Sequence, residues 1–233
     1  MQPKVLGIIP ARGGSKRLPR KNIRIVAGLP MIAHTIKAAQ QATRLTDFLV
    51  SSEDREILDI AGQYGAPIPF ERPVHLADDT VRNIDVVIHA LKMMEQVKGV
   101  VYDLLVLLQP TTPIRDPQHI DDAVRLLWQS RYHSLASVSG PYKKRDPNLK
   151  KIVDGGLVDY CPLNNVQKWD PFYIYNGSIY ATKRNYLLSE KKLISIPQVP
   201  LVMDEMHSID VDNEEDLIIA EALFSYRDKK TKD

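Results

Sequence analysis

The chain has 233 residues, enough for one sizeable α/β domain, and its 44% hydrophobic and 26% charged content is ordinary for a soluble globular protein. With 31 basic and 29 acidic side chains the net charge is +2, which excludes a global bias toward polyanions. The lone cysteine, Cys161, excludes an internal disulfide framework, and no apolar run approaches the roughly 18 residues of a membrane span.

The apolar stretch of "MQPKVLGIIPARGG" is too short for a signal peptide and turns basic on the wrong side, so a cytoplasmic protein is expected. Within it "KVLGII" reads as a buried first strand. "PMIAHTIKAAQQA" opens with proline and sets Ile32, Ile36 and Ala39 on one face, predicting a helix. "DFLVSSE" predicts a second strand, with a helix through Ile57, Ile60 and Ala61 behind it. "NIDVVIHALKMMEQV" is strongly amphipathic, and "DLLVLLQP" is a fully apolar strand stopped by proline. "PQHIDDAVRLLWQS" predicts another helix and "HSLASVSG" another strand.

From about residue 140 to 173 the rhythm breaks into Pro, Lys, Asp, Asn and Tyr, with short strand-like pieces in "LKKIV" and "GLVDY". Regularity resumes with "NGSIYATKRNYLL", a strand "SIDVD" and a last helix "NEEDLIIAEALFSY"; the tail "RDKKTKD" is expected to fray. The alternation predicts an α/β fold: a Rossmann-like, mainly parallel sheet with helices on both faces. Residues 1–139 and 174–233 form the expected core, and 140–173 an inserted arm that is a candidate dimerisation element.

The sharpest local feature is "IIPARGGSKRLPRKNI", from Ile8 to Ile23, which packs Arg12, Lys16, Arg17, Arg20 and Lys21 behind the first strand. Cations this dense repel one another unless something negative lies among them: a nucleotide's phosphates, a nucleic-acid backbone, or solvent alone. In a doubly wound sheet the loop after the first strand is the usual phosphate site. Gly13 and Gly14 let backbone N–H groups approach phosphate oxygens, Ser15 adds a donor, and Arg12, Lys16 and Lys21 can balance a triphosphate. Arg20 is read as the solvent-facing member of the run. GxxxxGK[ST] and GxGxxG are both absent, which removes the main support for the P-loop and dinucleotide readings. Aromatic stacking partners for a nucleic acid are missing nearby, so none is expected as a partner.

Asp210 and Asp212, spaced by two, would share one face of a strand, where paired carboxylates suit Mg2+. Asp212 could instead cap the final helix, with Glu215 completing a capping-box-like pair. Gln109, at the carboxyl end of the most apolar strand, could face a ligand or simply close the turn made by Pro110 and Pro113. Cys161 has no histidine companion, and the six histidines lack metal-ligand spacing, so neither covalent nor zinc chemistry is indicated.

The full string "IPARGGSKRLPRKNI" with "GLPMIAHTI", followed in order by "SSEDREI", "FERPVHLADDT", "LLQPTTPIR", "NGSIYA" and "SIDVDNEEDL", resembles the acylneuraminate cytidylyltransferase family over essentially the whole chain. The resemblance implies that Arg12, Ser15, Lys16 and Lys21 hold the phosphates of CTP and that Asn22 helps to hold the nucleotide. It also implies that Arg72 and the "ADDT" turn, with Asp79 and Thr80, approach the cytosine, although Arg72 alone reads as a surface arginine. Asn83 stands where members commonly carry a small hydroxyl residue. Gln109, Lys150, Tyr175, Asn176 and Ser178 would meet the acceptor sugar acid. The arginines that many members place upstream of "YNGS" are absent, and Lys168 is the only cation there. The implied reaction joins CMP from CTP to a nonulosonic acid and releases pyrophosphate, with Mg2+ on Asp210 and Asp212 and with Arg12 and Lys21 taking part. Kdo or pseudaminic acid enzymes are the nearest alternatives, and an RNA- or partner-binding α/β domain is the non-enzyme one. The resemblance further implies a homodimer in which the arm crosses to the neighbouring subunit.

Overall fold

The strand β1 (Val5–Pro10) is apolar on both sides, so it can only lie in a sheet that is covered on both faces. Val5 and Ile9 join one buried cluster and Leu6 and Ile8 the other, as alternation along a strand requires. The computed structural model describes residues 2–78, 80–142, 150–153, 156–159 and 172–230. After β1 comes the small antiparallel pair β2 (Ile25–Val26) and β3 (Leu29–Pro30), then α1 (Met31–Gln41), β4 (Asp47–Ser51) and α2 (Arg55–Gln63). Next are α3 (Asn83–Lys98), β5 (Leu104–Leu108), α4 (Pro117–Gln129) and β6 (Ser134–Tyr142). A separate two-stranded piece, β7 (Lys150–Val153) and β8 (Gly156–Asp159), precedes β9 (Phe172–Lys183), α5 (Arg184–Glu190), β10 (Val199–Met203) and α6 (Glu214–Lys230).

The six-stranded sheet has the order β10-β6-β9-β5-β1-β4. β1 pairs in parallel with β4 and β5, and β10 with β6, while β9 runs antiparallel to both its neighbours. Helices cover both faces, as expected. Ile32 and Ile36 of α1, Ile57 and Leu58 of α2, and Val124 and Leu127 of α4 pack on one side; Val87 and Leu91 of α3 and Leu187 of α5 pack on the other. β5 carries the same logic furthest, since all five of its residues are buried. Each such side chain is worth about 1.5–3 kcal/mol of transfer free energy. A third cluster docks Leu217, Ala220 and Phe224 of α6 onto Leu18, Met31, Ile114 and Val211.

Local chemistry sets the helix starts. The Asp54 carboxylate accepts from the Ile57 N–H at 3.1 Å to open α2. Asp116 and His119 form a reciprocal box at α4, with Pro117 in its first turn.

Two sequence expectations change. "SIDVD" is not a strand: residues 209–212 carry no regular secondary structure and join the sheet region through a backbone bond from Val211 N to Thr111 O at 2.8 Å. The alternation nonetheless persists, with Val211 buried between Asp210 and Asp212, both of which are more open. The tail does not fray at Arg227, because α6 continues to Lys230. In the 140–173 range, β6 reaches Tyr142 and β9 begins at Phe172, whose rings lie 5.6 Å apart, so sheet structure enters the range from both sides. Tyr160, Lys168 and Trp169 lie outside the described residues, as does Asp79.

Candidate active site

Because β1 has β4 on one side and β5 on the other, the chain reverses its winding there, and a crevice opens beyond the carboxyl ends of β1 and β5. A cleft of about 420 Å³ fills that position. Pro10 closes β1 at its floor, and Gln109, Pro110 and Thr111 follow β5 along one wall. Arg12, Ser15, Lys16, Arg17, Lys21 and Asn22 come from the opening loop, Arg72 and Asn83 from the far side, and Asp212 from the approach to α6.

Asp212 is the electrostatic hinge of the site. Its Oδ1 accepts from Lys21 Nζ at 2.8 Å and its Oδ2 from Arg17 Nη1 at 3.2 Å. Lys21 above all, with Arg17, outweighs partial desolvation and holds the Asp212 carboxyl below the usual carboxylate range. Asp210 behaves oppositely. Desolvation by the surrounding protein raises its carboxyl above that range, and repulsion from Asp212 adds to this against a Thr111 hydrogen bond and the field of Lys21. Gly177 (φ +74°) makes room for it: a Cβ there would stand 3.3 Å from Asp210 Oδ2.

Among the described residues no group of three or more His, Cys, Asp or Glu side chains could enclose a metal ion. Asp210 and Asp212 do offer hard oxygens that repel each other, which suits a dication completing its shell with water and phosphate oxygens.

The opening loop is braced from outside the cleft. Gly13 N–H does not point to an open anion site, because it donates to Glu53 Oε1 at 2.8 Å. Its missing side chain matters too, since a Cβ would fall 2.3 Å from Asp54 Oδ2. Gly14 has open space around it. Asn22 is buried and donates to Arg12 O at 3.0 Å, so it shapes the loop as well as lining the cleft. Arg20 is not a solvent-facing cation. It adopts φ 59° and pairs with Asp54 and Glu56, which pins the loop to α2.

The remaining predicted residues are more dispersed. Arg72 is buried, lines the cleft and is paired with Glu53. Thr80 is exposed and bonds the Asp78 carboxylate through N–H and hydroxyl, each at 2.9 Å. Asn176 and Ser178 are buried and engaged internally: Asn176 Oδ1 accepts from Ser137 Oγ at 2.6 Å, and its Nδ2 donates to Ser208 Oγ at 2.9 Å. They support the wall behind Gln109 and do not line the cleft. Tyr175 is half exposed, its ring 6.4 Å from that of Tyr180. Lys150 begins β7, paired through its backbone with Asp159 and apart from the main sheet.

Sequence reasoning missed three side chains. Arg17 lies in plain view in the basic run, and Glu53 and Arg115 lie inside two of the family-like motifs, yet residue type and spacing give none of them a role. Arg115 is buried with only neutral oxygens as hydrogen-bond partners, including Gln109 O at 2.8 Å and Ser178 O at 2.7 Å. Burial pushes its guanidinium down to about 9. It knits the end of β5 to the bend in β9.

A doubly wound sheet with a cation-lined cleft at its switch point, and the Asp212 carboxylate facing the cations, defines an α/β protein built to hold a polyanionic ligand. The family model described as Cytidylyltransferase matches residues 6–159, and the chain belongs to that family. It is 39% identical over 232 residues to the CMP-N,N'-diacetyllegionaminic acid synthase of Legionella pneumophila, covering 94% of this chain and 96% of that one. The Campylobacter jejuni protein of the same name is 32% identical, with 99% of both chains covered. The N-acylneuraminate cytidylyltransferase of Escherichia coli is 30% identical over 94% of this chain but 52% of its own length. The solved structure of a CMP:2-keto-3-deoxy-manno-octonic acid synthetase complexed with CTP superposes with a TM-score of 0.71 at 19% identity, covering 96% of this chain and 99% of that one; it establishes the fold.

Proposed function

We propose that this chain transfers CMP from CTP to the anomeric hydroxyl of a nonulosonic acid and releases pyrophosphate, with an N,N'-diacetyllegionaminic-type acid as the favoured acceptor. The observation that carries the reading is the cleft itself. Cations from one loop pair with Asp212 in a crevice at the switch point, in a chain whose end-to-end relatives bear the names given above. The pseudaminic acid cytidylyltransferase match, at 38% identity, spans only 55% of the chain, so that acceptor is second.

The hydroxyl oxygen attacks the α-phosphorus in line and gives up its proton to water, the new P–O bond forms, and the bond to the β-phosphate oxygen breaks. Arg12, Lys16, Arg17 and Lys21 take up the charge of the departing pyrophosphate. Arg72 and Asn83 face the base, and Gln109 faces the acceptor. Asp210 and Asp212 would hold Mg2+, which when bound neutralises charge on the triphosphate. With no membrane-spanning helix among the described residues and a nucleotide substrate, a cytoplasmic location is the natural one.

Thermal shift with a nucleotide panel tests the assignment. CTP with Mg2+ should raise Tm more than UTP, ATP or GTP do. Equal shifts with all four nucleotides would remove the cytidine assignment.

A further inference from the structure

The segment "SSEDREI" carries no assigned role in the chemistry above, yet it is where the base-facing and phosphate-facing sides of the cleft meet. The side chain of Arg72 is only 3% exposed. A guanidinium stays charged at ordinary pH, and an anionic partner offsets the cost of burying one. Glu53 is that partner: its Oε2 accepts from Arg72 Nη2. Its other oxygen, Oε1, accepts the Gly13 N–H at 2.8 Å. One carboxylate therefore bridges the opening loop and the cleft-lining arginine.

Neighbouring contacts make the bridge rigid. Arg72 N–H donates to Ser52 O at 2.9 Å, so backbone and side chain of Arg72 are tied to consecutive residues. On the other side Asp54 packs against the bare α-carbon of Gly13 and pairs with Arg20, holding a second point of the same loop. Asp54 is itself fixed as the cap of α2.

We infer that Glu53 is a positioning residue for nucleotide selectivity: it fixes the Arg72 guanidinium relative to the phosphate loop and reserves it for the base. This rests on the proposed binding of CTP in the cleft. A donor-only group suits a base edge that presents acceptors, as cytosine does with O2 and N3, whereas uracil presents an N–H at position 3. Without the Glu53 charge, Arg72 remains a buried cation whose nearest available anion is the bound triphosphate. It would turn from base to phosphate, and discrimination between bases would fall while triphosphate binding persisted.

The test is the ratio of kcat/KM for CTP to that for UTP in wild type and in Glu53→Gln, which preserves shape and one acceptor but removes the charge. The ratio should fall by at least ~10-fold, the factor that corresponds to 1.4 kcal/mol. Arg72→Gln should lower it similarly, and the double variant should go no lower than Arg72→Gln alone, because both act through one contact. A purely structural role would lower Tm and leave the ratio unchanged. A folded Glu53→Gln enzyme with a ratio within twofold of wild type overturns the inference. Should that variant fail to fold, the ratio is read on Glu53→Asp, whose shorter carboxylate cannot span both contacts: a fall of the same size supports the inference, and a ratio within twofold overturns it. A wild-type enzyme that does not use CTP would remove the functional reading and this inference together. A CTP-selective wild type with an unaltered Glu53→Gln ratio removes only the inference.

Discussion

Asn213, one position after Asp212, closes the first turn of α6. Its Oδ1 accepts from Asp216 N at 2.9 Å, and Asp216 Oδ2 reaches back to the N–H groups of Asp212 and Asn213 at 2.8 and 3.2 Å. This reciprocal pair leaves the Asp212 carboxylate to Lys21 and Arg17 and resolves the capping alternative that the sequence left open. Asp212→Asn should therefore cut turnover with little change in Tm, whereas Asn213→Ala should cost about 1 kcal/mol of stability and leave turnover near wild type. Thermal melts beside initial rates check both, and full activity in Asp212→Asn would end its assigned role. The basic residues themselves were legible because charge density shows in one dimension. What each cation touches was not: Arg20 finds Asp54 and Glu56, and Arg72 finds Glu53, through pairings that only the folded chain creates. Arg115 was hidden for a further reason, since nothing local marks an arginine as buried.

At the level of elements, apolar runs and helical periodicity placed β1, β4, β5, α1 to α4 and α6 well, because a two-sided sheet demands unbroken apolar strands. The helices α2 and α4 begin at Asp54 and at the Asp116–Pro117 pair, behind the apolar periodicity that predicted them. Less was legible where tertiary pairing decides. β10 alternates buried and exposed residues as an edge strand does, but Pro200 interrupts its sequence signal. "SIDVD" has a strand's alternation without a ladder, since its neighbour is the loop after β5 and not another strand. The antiparallel course of β9 follows from the excursion between β6 and β9, whose return direction local patterning does not encode.

On the scale of the whole molecule, β9 begins with four consecutive exposed apolar or aromatic residues, Phe172, Tyr173, Ile174 and Tyr175, at 43–52% exposure. Val202 on the edge strand β10 is also half exposed. A solvated strand end has no reason to carry four such residues, and a second copy of the chain is the proposed cover. Light scattering at micromolar concentration should give twice the chain mass of 26.4 kDa, and Phe172→Glu with Tyr173→Glu should lower it. A monomer with full activity would remove the proposed dimer. The central claim is cytidylyl transfer at the switch-point cleft, and the direct measurement is pyrophosphate release by the purified chain with CTP, Mg2+ and a panel of nonulosonic acids. Release should require both CTP and an acid, be fastest with the N,N'-diacetyllegionaminic type, and fall at least ~10-fold in Arg12→Ala, the loss of one charge-assisted contact. Folded protein that releases no pyrophosphate with any acid of the panel, or releases it equally without one, would contradict the account.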